Sequence, residues 1–537
     1  MKKRLLILAL LYLGVILAFA SCADDSDDEN LVYKLSDDKS FYAVVGIGEY
    51  EESHLVIPAT YKGLPVKNIG VKAFKGCDWL LSVVIPSSVT SIEGLAFENC
   101  NSLSTVTFEA NSQLTNIGYA AFKGCTSLKS ITVPSSVTHI DAAFYGCTSL
   151  ESITLPFVGW RPNAEGKQAH LGNVFGYPTK TESTKEYHYY DPETEEHFTY
   201  PIPTSLKTVV ITGGTNIGFR AFGGCTELVS VEIPSSVESI DNLAFCECTS
   251  LSSVKFGPNS QLTSISFGMF YGCTSLKDIT IPSSVTIIDW HAFYKCASLK
   301  DITIPSSVTS IGESAFFGCT SLKNIKVPSS VTSIGPAAFQ ECNSLESIEI
   351  PFVGKSPTAE GVAARFGYVF GYPRVSNSSS HYHYYDPGTK QSYVFPIPAS
   401  LKNVVITGSA SIGDSAFMGC DSLTSIEILS SATSIGDAAF SWCSSLSRVV
   451  LPSSVTRIGF TAFLECVSLS NIKIPASVTV IDFLTFAGCT SLTKVTFEDV
   501  AGWKVNSISI AASDLVNKSK AATYLKTTYC TYTWTKE

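Results

Sequence analysis

A cysteine that recurs every 22 to 25 residues is the feature that most restricts how this 537-residue chain can fold. Fourteen of the seventeen cysteines occupy this position, and two intervals of 78 residues interrupt the spacing. Periods of about 20 to 50 residues are typical of stacked repeats rather than of separate globular domains. The recurrence therefore predicts one elongated array. The fourteen positions, called here the ladder cysteines, are Cys77, Cys100, Cys125, Cys147, Cys225, Cys248, Cys273, Cys296, Cys319, Cys342, Cys420, Cys443, Cys466 and Cys489.

Each repeat carries apolar residues at the same positions, and residues 296–319 illustrate the pattern. Ile302 and Ile304 alternate with polar residues, which predicts a short strand with one buried face. Pro305 then ends the strand, because proline has no N–H to donate and fixes its own φ. The other recurring positions of this unit are Cys296, Leu299, Val308, Ile311, Gly312, Ala315, Phe316 and Cys319.

The second half of the unit predicts another short extended segment followed by a turn. Val308 and Ile311 begin this segment, and Gly312 is predicted to permit a sharp turn. The Ala-Phe pair that follows should lie on a helical or irregular turn and fill the coil with one aromatic ring. A single unit cannot bury these residues, whereas stacked units share a continuous core. The sequence therefore predicts a repeat solenoid with a parallel β-sheet along one side.

The ladder cysteines are interpreted as small buried core residues with weakly hydrogen-bonding thiols. Stacked coils bring neighbouring thiols near disulfide distance but rarely provide the dihedral angle and the Cβ approach that a disulfide needs. Zinc sites need closely paired ligands, and the one close pair is Cys246 and Cys248. We expect Cys246 at an exposed position beside the ladder.

The recurring motif Leu-x-x-Ile-x-Ile-Pro-Ser-Ser-Val-Thr-x-Ile-Gly-x-x-Ala-Phe-x-x-Cys resembles the BspA-like (Treponema pallidum type) leucine-rich repeats of bacterial surface proteins, over about residues 64 to 497. Ser307 occupies the place where common leucine-rich repeats carry an asparagine ladder. The resemblance implies a right-handed leucine-rich-repeat coil, with short helical or irregular turns opposite the sheet and a cap at each end. It also implies binding to host extracellular-matrix proteins or to other cells.

The N-terminus has the pattern of an export signal. Three basic residues at 2–4 precede an apolar run at 5–20 that is short for a membrane span. The Phe-Ala-Ser-Cys that ends at Cys22 resembles a bacterial lipobox, and ordinary signal cleavage is the alternative. The acidic residues 23–29 predict a spacer, and they resemble the signal that directs lipoproteins of Bacteroidetes-type bacteria to the outer face of the outer membrane. We therefore expect a lipid anchor at Cys22 and exposure on the cell surface.

The two 78-residue intervals contain one additional module in two copies, displaced by 195 residues. The shared segments are Pro-Phe-Val-Gly from 156 and 351, Phe-Gly-Tyr-Pro from 175 and 370, Tyr-His-Tyr-Tyr-Asp-Pro from 187 and 382, and Pro-Ile-Pro from 201 and 396. Insertions in a solenoid emerge as loops on one edge, and loops on a rigid scaffold often carry recognition.

Aromatic residues of these modules are candidate ligand contacts, because their rings offer a large contact area at low entropic cost. The alternative is that the same rings fill a miniature core of each module. We expect no metal site, since of the residues that would form one only His188 and Asp191 have counterparts in the second copy. The candidate contact residues are Tyr189, Tyr190, Tyr384, Tyr385, His188 and His383.

The exposed face of the predicted sheet is a further candidate surface, formed by the residue between the two buried strand positions. Threonine and residues of both charges dominate it, which is typical of a solvated coating but also compatible with a shallow protein-binding face. The residues are Val84, Thr107, Thr132, Thr154, Glu232, Lys255, Thr280, Thr303, Lys326, Glu349, Glu427, Val450, Lys473 and Thr496.

Charge and motifs exclude several classes of function. Removing the three basic residues of the signal changes the formal net charge from −10 to −13, which argues against nucleic acid and anionic lipid as partners. No nucleophile motif, phosphate-binding glycine loop or zinc-protease signature occurs. We therefore expect no enzyme, no catalytic residue and no cofactor.

The predicted function is a non-enzymatic cell-surface adhesin or protein-interaction scaffold, and the alternative is a glycan-binding surface lipoprotein of a nutrient-uptake system. The expected partner is an extracellular protein or glycan. The predicted segments are a signal peptide at 1–21, an acidic tether at 22–30, an N-terminal cap at 31–66, repeats at 67–155, a first insertion module at 156–205, repeats at 206–350, a second insertion module at 351–400, repeats at 401–497 and a C-terminal cap at 498–537.

Overall fold

The computed structural model describes residues 30–182, 188–191, 194–376, 384–386, 391–408, 411–429 and 431–537, with the backbone alone for residues 376 and 384–386. Cys22 and His383 lie outside the described residues, so the lipid anchor at Cys22 and the ligand contact by His383 stay predictions. The described chain is a solenoid of parallel strands with little helix, which confirms the predicted fold class.

One side of the solenoid, the long-strand face, is built from a strand that recurs once per coil. Neighbouring strands pair in parallel and in register, as Ser230–Ile233 does with Ser253–Phe256. Their inward residues are buried and the residues between them face outward, as the alternating pattern predicts. The strands are Ser82–Ile85, Thr105–Phe108, Ser130–Thr132, Ser152–Leu155, Thr208–Ile211, Ser230–Ile233, Ser253–Phe256, Asp278–Thr280, Asp301–Thr303, Asn324–Lys326, Ser347–Ile350, Asn403–Ile406, Ser425–Ile428, Arg448–Val450, Asn471–Ile474 and Lys494–Phe497.

A row of two-residue strands forms a second side, the short-strand face. Each contributes one buried isoleucine to the core, and successive strands again pair in parallel. These strands are Ser91–Ile92, Asn116–Ile117, His139–Ile140, Asn216–Ile217, Ser239–Ile240, Ser264–Ile265, Ile287–Ile288, Ser310–Ile311, Ser333–Ile334, Ser434–Ile435, Arg457–Ile458 and Val480–Ile481.

The third side is an irregular turn that carries one phenylalanine per coil into the core. Phe293 is fully buried, and its ring stacks on Phe270 at 5.4 Å and on Phe316 at 5.3 Å between centroids. The backbone N–H of Phe293 donates to the carbonyl of Ala315 in the next coil at 2.7 Å. The Ala-Phe pair therefore joins coils both through aromatic stacking and through a backbone hydrogen bond.

The ladder cysteines are buried and free, which confirms their interpretation as small core residues. Where one repeat directly follows another, the thiol donates to the phenylalanine carbonyl of the preceding coil: Cys296 Sγ lies 3.2 Å from the oxygen of Phe270, and Cys319 Sγ lies 3.3 Å from that of Phe293. Cysteine is therefore a small apolar filler that also satisfies a buried carbonyl. The prediction for Cys246 is wrong, because this side chain is only 1% exposed and its burial raises the pKa of its thiol to about 11.

The predicted role of Gly312 also needs correction. The left-handed residue of this turn is Ser314, with φ of 53°, and not the glycine. Gly312 is required for close approach instead, because an added Cβ would lie 2.5 Å from the backbone nitrogen of Trp290 in the preceding coil. At this coil, glycine therefore permits the close approach of Trp290.

A serine ladder takes the place of the absent asparagine ladder. Ser307 Oγ donates to the carbonyl of Val285 at 2.6 Å, and Ser330 Oγ donates to that of Val308 at 2.7 Å. A hydroxyl here satisfies a carbonyl of the preceding coil where the chain turns after its long strand.

Strands that continue the two faces close the N-terminal end. His54–Val56 pairs with the first strand of the long-strand face, and Leu64–Ile69 pairs with the first strand of the short-strand face. Tyr42–Gly46 pairs in parallel with Leu64–Ile69 and antiparallel with Val32–Leu35, while Thr60–Tyr61 forms a hairpin with Leu64–Ile69.

The C-terminal end is closed by tryptophan side chains and short helices. Trp503–Val505 pairs antiparallel with Trp534–Lys536 and with Ile508–Ser509, and Trp534–Lys536 also pairs with Val480–Ile481. Both tryptophans are 1% exposed, so they cover the last coil. The helices are Ala512–Val516 and Lys518–Thr523, followed by a π-helical turn at Tyr524–Thr528.

The first part of each insertion module continues the solenoid. The carbonyls of Trp160 and Val174 accept hydrogen bonds from the backbone N–H groups of Ile140 and Phe144 in the preceding coil, at 2.9 Å each. In the second copy, Phe370 and Phe366 carry the aromatic stack across to Phe417. Short 3-10 helices at Gly166–Ala169, Leu171–Val174, Gly361–Ala364 and Phe366–Phe370 build these turns. The described residues that emerge from the stack of coils therefore fall within 176–205 and 371–400.

Candidate functional site

Each emergent segment contains a three-stranded antiparallel sheet. In the first copy, Glu196–Thr199 is the central strand between Thr179–Thr181 and Tyr189–Asp191. In the second, Gln391–Val394 is the central strand between Arg374–Ser376 and Tyr384–Asp386.

Tyr189 and His188 lie inside the first module. Tyr189 is 3% exposed and packs in an apolar cluster with Phe198 and Tyr200, and its ring meets Phe219 of the following coil at 6.0 Å between centroids. His188 Nδ1 accepts a hydrogen bond from the backbone N–H of Tyr200 at 2.9 Å. These contacts favour the miniature-core alternative for both residues, because Tyr189 is buried in the apolar cluster and His188 Nδ1 is already hydrogen-bonded to the backbone.

A second histidine, His170, completes this interior. Its ring stacks on Tyr200 at 4.3 Å, its Nδ1 accepts from the N–H of Gly172 at 2.9 Å, and its Nε2 donates to the carbonyl of Gly223 at 3.1 Å. Burial lowers the pKa of His170 to about 3 and that of His188 to about 4, so both imidazoles are neutral. His170, neutral and hydrogen-bonded at both ring nitrogens, is therefore a structural histidine.

The remaining candidates are Tyr190, which is less buried, and Tyr384 and Tyr385, which the structure describes only in part. Tyr190 is half-buried, and its ring lies 5.2 Å from that of His197. Tyr384 and Tyr385 lie on the strand Tyr384–Asp386, of which the structure describes the backbone and not the side chains. Ligand contact by these three tyrosines stays a prediction.

The tyrosine patch, which the sequence reasoning missed, consists of Tyr119, Tyr145 and Tyr177, which are 49%, 44% and 54% exposed. The rings of Tyr119 and Tyr177 stack at 5.8 Å with an angle of 10° between their planes. The hydroxyl of Tyr177 donates to Asp141 Oδ1 at 2.7 Å, and burial together with this bond raises the pKa of Tyr177 to about 12. The side chains of Tyr119 and Tyr177 are therefore held in place before any ligand arrives.

Charged residues adjoin the tyrosine patch. Lys123 Nζ lies 3.0 Å from Glu98 Oε1, and Lys75 Nζ lies 2.8 Å from Glu98 Oε2. Glu98 is only 6% exposed, and its hydrogen bonds to Lys75 and Lys123 hold the pKa of its carboxyl below the ordinary value. The patch thus combines half-exposed aromatic rings with oriented charges, as protein-binding hot spots do.

The second copy forms a different surface, called here the tryptophan groove and defined by Trp290, Glu313, Lys355, Tyr368 and Tyr372. Trp290 is 55% exposed and Tyr372 is 58% exposed. The hydroxyl of Tyr372 donates to Glu313 Oε1 at 2.9 Å. The groove has a volume of about 260 Å³, and Trp290, Glu313, Lys355 and Tyr368 line it.

Tyr177 and Tyr372 are equivalent residues of the two modules, since both follow the Phe-Gly pair of the shared Phe-Gly-Tyr-Pro segment. Each donates its hydroxyl to a carboxylate of an earlier coil. The sequence therefore contained a sign of these exposed tyrosines, namely the shared Phe-Gly-Tyr-Pro segment. The pattern alone, however, does not distinguish this tyrosine from those of the Tyr-His-Tyr-Tyr-Asp-Pro segment. Both glycines are needed, because a Cβ would collide with the prolines at 201 and 396.

The long-strand face carries ion pairs between neighbouring coils. Lys255 Nζ lies 2.9 Å from Glu232 Oε1, and Lys326 Nζ lies 2.7 Å from Glu349 Oε1. Exposed pairs of this kind contribute about 1 kcal/mol or less. The charged side chains of this face pair with one another within the chain, as expected of a surface that faces solvent.

Within the described ranges, no cluster of three or more histidine, cysteine or acidic side chains is arranged to hold a metal ion. Over the same residues, no helix combines the length and the apolar character needed to cross a membrane.

Parallel strands, stacked phenylalanines and recurring leucines place the chain in the class of leucine-rich-repeat solenoids. More particularly, it belongs to the family of the BspA type leucine rich repeat region, whose model matches in six copies over residues 62–158, 196–323, 286–356 and 391–512. Leucine-rich-repeat proteins are generally protein-interaction modules and are typically not enzymes.

Several solved structures are similar to the chain. A leucine-rich repeat protein from Bacteroides ovatus is 26% identical, with 89% of this chain and 88% of that chain covered and a TM-score of 0.32. The T. pallidum leucine rich repeat protein is 21% identical over 56% of this chain and 91% of its own, with a TM-score of 0.19. The pneumococcal vaccine antigen PcpA is 18% identical over 80% and 92%, with a TM-score of 0.27. No curated protein matches the chain.

Proposed function

We propose that this chain is a lipid-anchored cell-surface protein that binds an extracellular protein, as an adhesin or interaction scaffold without catalytic activity. The lipid anchor is assigned to Cys22 on the N-terminal sequence pattern. The family assignment supports binding in general, and the tyrosine patch is the observation that supports a protein ligand in particular.

The tyrosine patch suits a protein partner because half-exposed tyrosines lose little side-chain entropy on binding and bury a large area. The stacking of Tyr119 on Tyr177 and the bond from Tyr177 to Asp141 hold both rings before binding. Preorganised contacts avoid part of the cost of ordering a surface. The patch also lies on a stiff array of coils, which keeps its three tyrosines in register.

The test uses the full-length protein in detergent and a panel of purified extracellular-matrix proteins on a biosensor surface. Tyr119→Ala and Tyr177→Ala should each weaken the strongest interaction by at least about tenfold, as expected for a hot-spot ring. The matched control is Tyr532→Ala, which removes a tyrosine that is 41% exposed in the C-terminal cap. Binding that is equally strong in all three variants would place the interaction elsewhere, and the absence of binding to every matrix protein would refute the proposed ligand class.

A further inference from the structure

We propose that the tryptophan groove is a binding site for a neutral polysaccharide. This site goes beyond the proposed function, because it lies on the other insertion module and stands whether or not the tyrosine patch binds protein.

The second copy carries a carboxylate in the groove where the first copy carries an aromatic ring. Tyr119 and Glu313 occupy the same position of their coils, six residues before Cys125 and Cys319. In the first copy the rings of Tyr119 and Tyr177 stack, and they are 49% and 54% exposed. In the second, the hydroxyl of Tyr372 donates to Glu313, and the ring of Tyr372 is 58% exposed beside the groove.

Trp290 supplies the second exposed ring from one coil earlier. Its indole lies against Gly312, where an added Cβ would be 2.6 Å from Trp290 Cδ1. The backbone N–H of Trp290 donates to Asp289 Oδ1 at 2.7 Å. The indole therefore packs against the next coil at Gly312 and remains 55% exposed. Together with the exposed ring of Tyr372 and the adjoining groove, the exposed indole offers an aromatic surface on which a ligand can stack.

The polar groups of the groove suit a sugar. Asp289 and Glu313 provide hydrogen-bond acceptors beside the ring of Trp290, and Lys355 provides a donor. A pyranose presents C–H groups on its faces and hydroxyls around its edge, so it can stack on an aromatic ring while its hydroxyls reach these groups. A peptide ligand of mainly apolar side chains would leave the two carboxylates and the ammonium desolvated and unpaired.

The charge and the volume of the groove limit the class of sugar that it can bind. The two carboxylates and one ammonium give the lining a formal charge of about −1, which opposes uronic acids, sialic acids and sulfated glycans. The volume of about 260 Å³ is near the lower end, roughly 300 Å³, of pockets that enclose a small molecule. An open groove of this size would hold one or two sugar rings and let a chain continue beyond it. The ligand class is therefore an uncharged polysaccharide.

The experiment measures binding of the full-length protein in detergent to dextran, laminarin, xylan and mannan by affinity electrophoresis and calorimetry, with heparin as the anionic comparison. At least one neutral polysaccharide should bind and heparin should not. Trp290→Ala and Tyr372→Ala should each weaken binding by at least about tenfold. Trp290→Phe, which keeps a ring, should weaken it less.

Two further variants serve as controls, one for the loss of any exposed tryptophan and one for a failure of Trp290→Ala to fold. Trp442→Ala is the matched control, because it removes an exposed tryptophan (38%) from a remote coil, and its binding should equal that of the unaltered protein. Glu313→Gln keeps the shape of the groove and should also weaken binding, so it replaces Trp290→Ala if that variant loses its cooperative melting transition.

The proposal is overturned if none of the four neutral polysaccharides binds, if heparin binds and displaces them, or if Trp290→Ala and Glu313→Gln bind as the unaltered protein does. Binding of matrix proteins by the same preparations separates this proposal from the proposed function. Trp290→Ala should leave the matrix-protein interaction unchanged, and Tyr177→Ala should leave polysaccharide binding unchanged.

Discussion

Replacing the phenylalanine at the centre of the aromatic stack should destabilise the solenoid strongly. Phe293 is fully buried, and Phe293→Ala removes its stacks on Phe270 and Phe316 at 5.4 and 5.3 Å. Truncating a buried phenylalanine costs about 3 to 5 kcal/mol, since the lost transfer energy is joined by the cost of a cavity. We expect a loss in the upper half of that range, because two favourable ring pairs disappear with the side chain.

The matched control is Phe483→Ala, which deletes the same atoms from a ring that is 42% exposed. Full burial of such a side chain is worth about 1.5 to 3 kcal/mol, so the partly exposed ring should cost about 1 to 2 kcal/mol. Urea unfolding followed by circular dichroism gives the free energies, and hydrogen exchange locates the coils that open. Each coil depends on its neighbours in a repeat array, so faster exchange should centre on the coils around position 293. Equal losses in the two variants would refute the stacked-core account.

The remaining predictions concern the anchor, the thiols and the buried histidines. Cys22→Ala should release the protein from membranes and abolish incorporation of labelled fatty acid, and labelling of this variant would contradict the anchor. Denatured protein should titrate many thiols without reductant while native protein titrates few, and finding them mostly oxidised after denaturation would contradict the free ladder. The folded-state pKa values of His170 and His188 are lowered to about 3 and about 4, below the ordinary value of about 6.5, so the unfolded chain binds more protons below that pH. Stability should therefore fall between pH 7 and pH 5, by about 2 kcal/mol per histidine, and His170→Gln should melt with a smaller pH dependence.

The fold of the repeated coil was predictable because the same residue pattern recurs in each repeat. Positions such as Ile302, Phe316 and Cys319 recur at fixed spacing, and a strand with one buried face has a period of two that can be recognised directly. Details that depend on neighbouring coils were not predictable. Gly312 fits a turn by composition, but its small size serves the approach of Trp290, which belongs to another coil. Cys246 is buried even though most of its equivalents are polar or aromatic.

The candidate site was less predictable for a related reason. The modules contain several tyrosines in matched motifs, and the sequence does not state which side of a small sheet each ring takes. Tyr189 turns inward against Phe198, whereas Tyr177 turns outward against Tyr119. Burial of this kind is decided by how the emergent segment folds back on earlier coils, and a periodic pattern of one or two copies cannot specify that contact.

Adhesion of intact cells tests the central claim most directly, namely that this is a surface protein that binds through the edge carrying its insertion modules. Cells that display the unaltered chain are compared with cells that display the combined variant Tyr119→Ala, Tyr177→Ala, Trp290→Ala and Tyr372→Ala, with surface amounts matched by antibody labelling. For the combined variant, we expect attachment to matrix-coated surfaces to fall at least about tenfold through the loss of Tyr119 and Tyr177, and attachment to mucus-coated surfaces to fall likewise through the loss of Trp290 and Tyr372. Undiminished attachment at equal surface display would contradict the account.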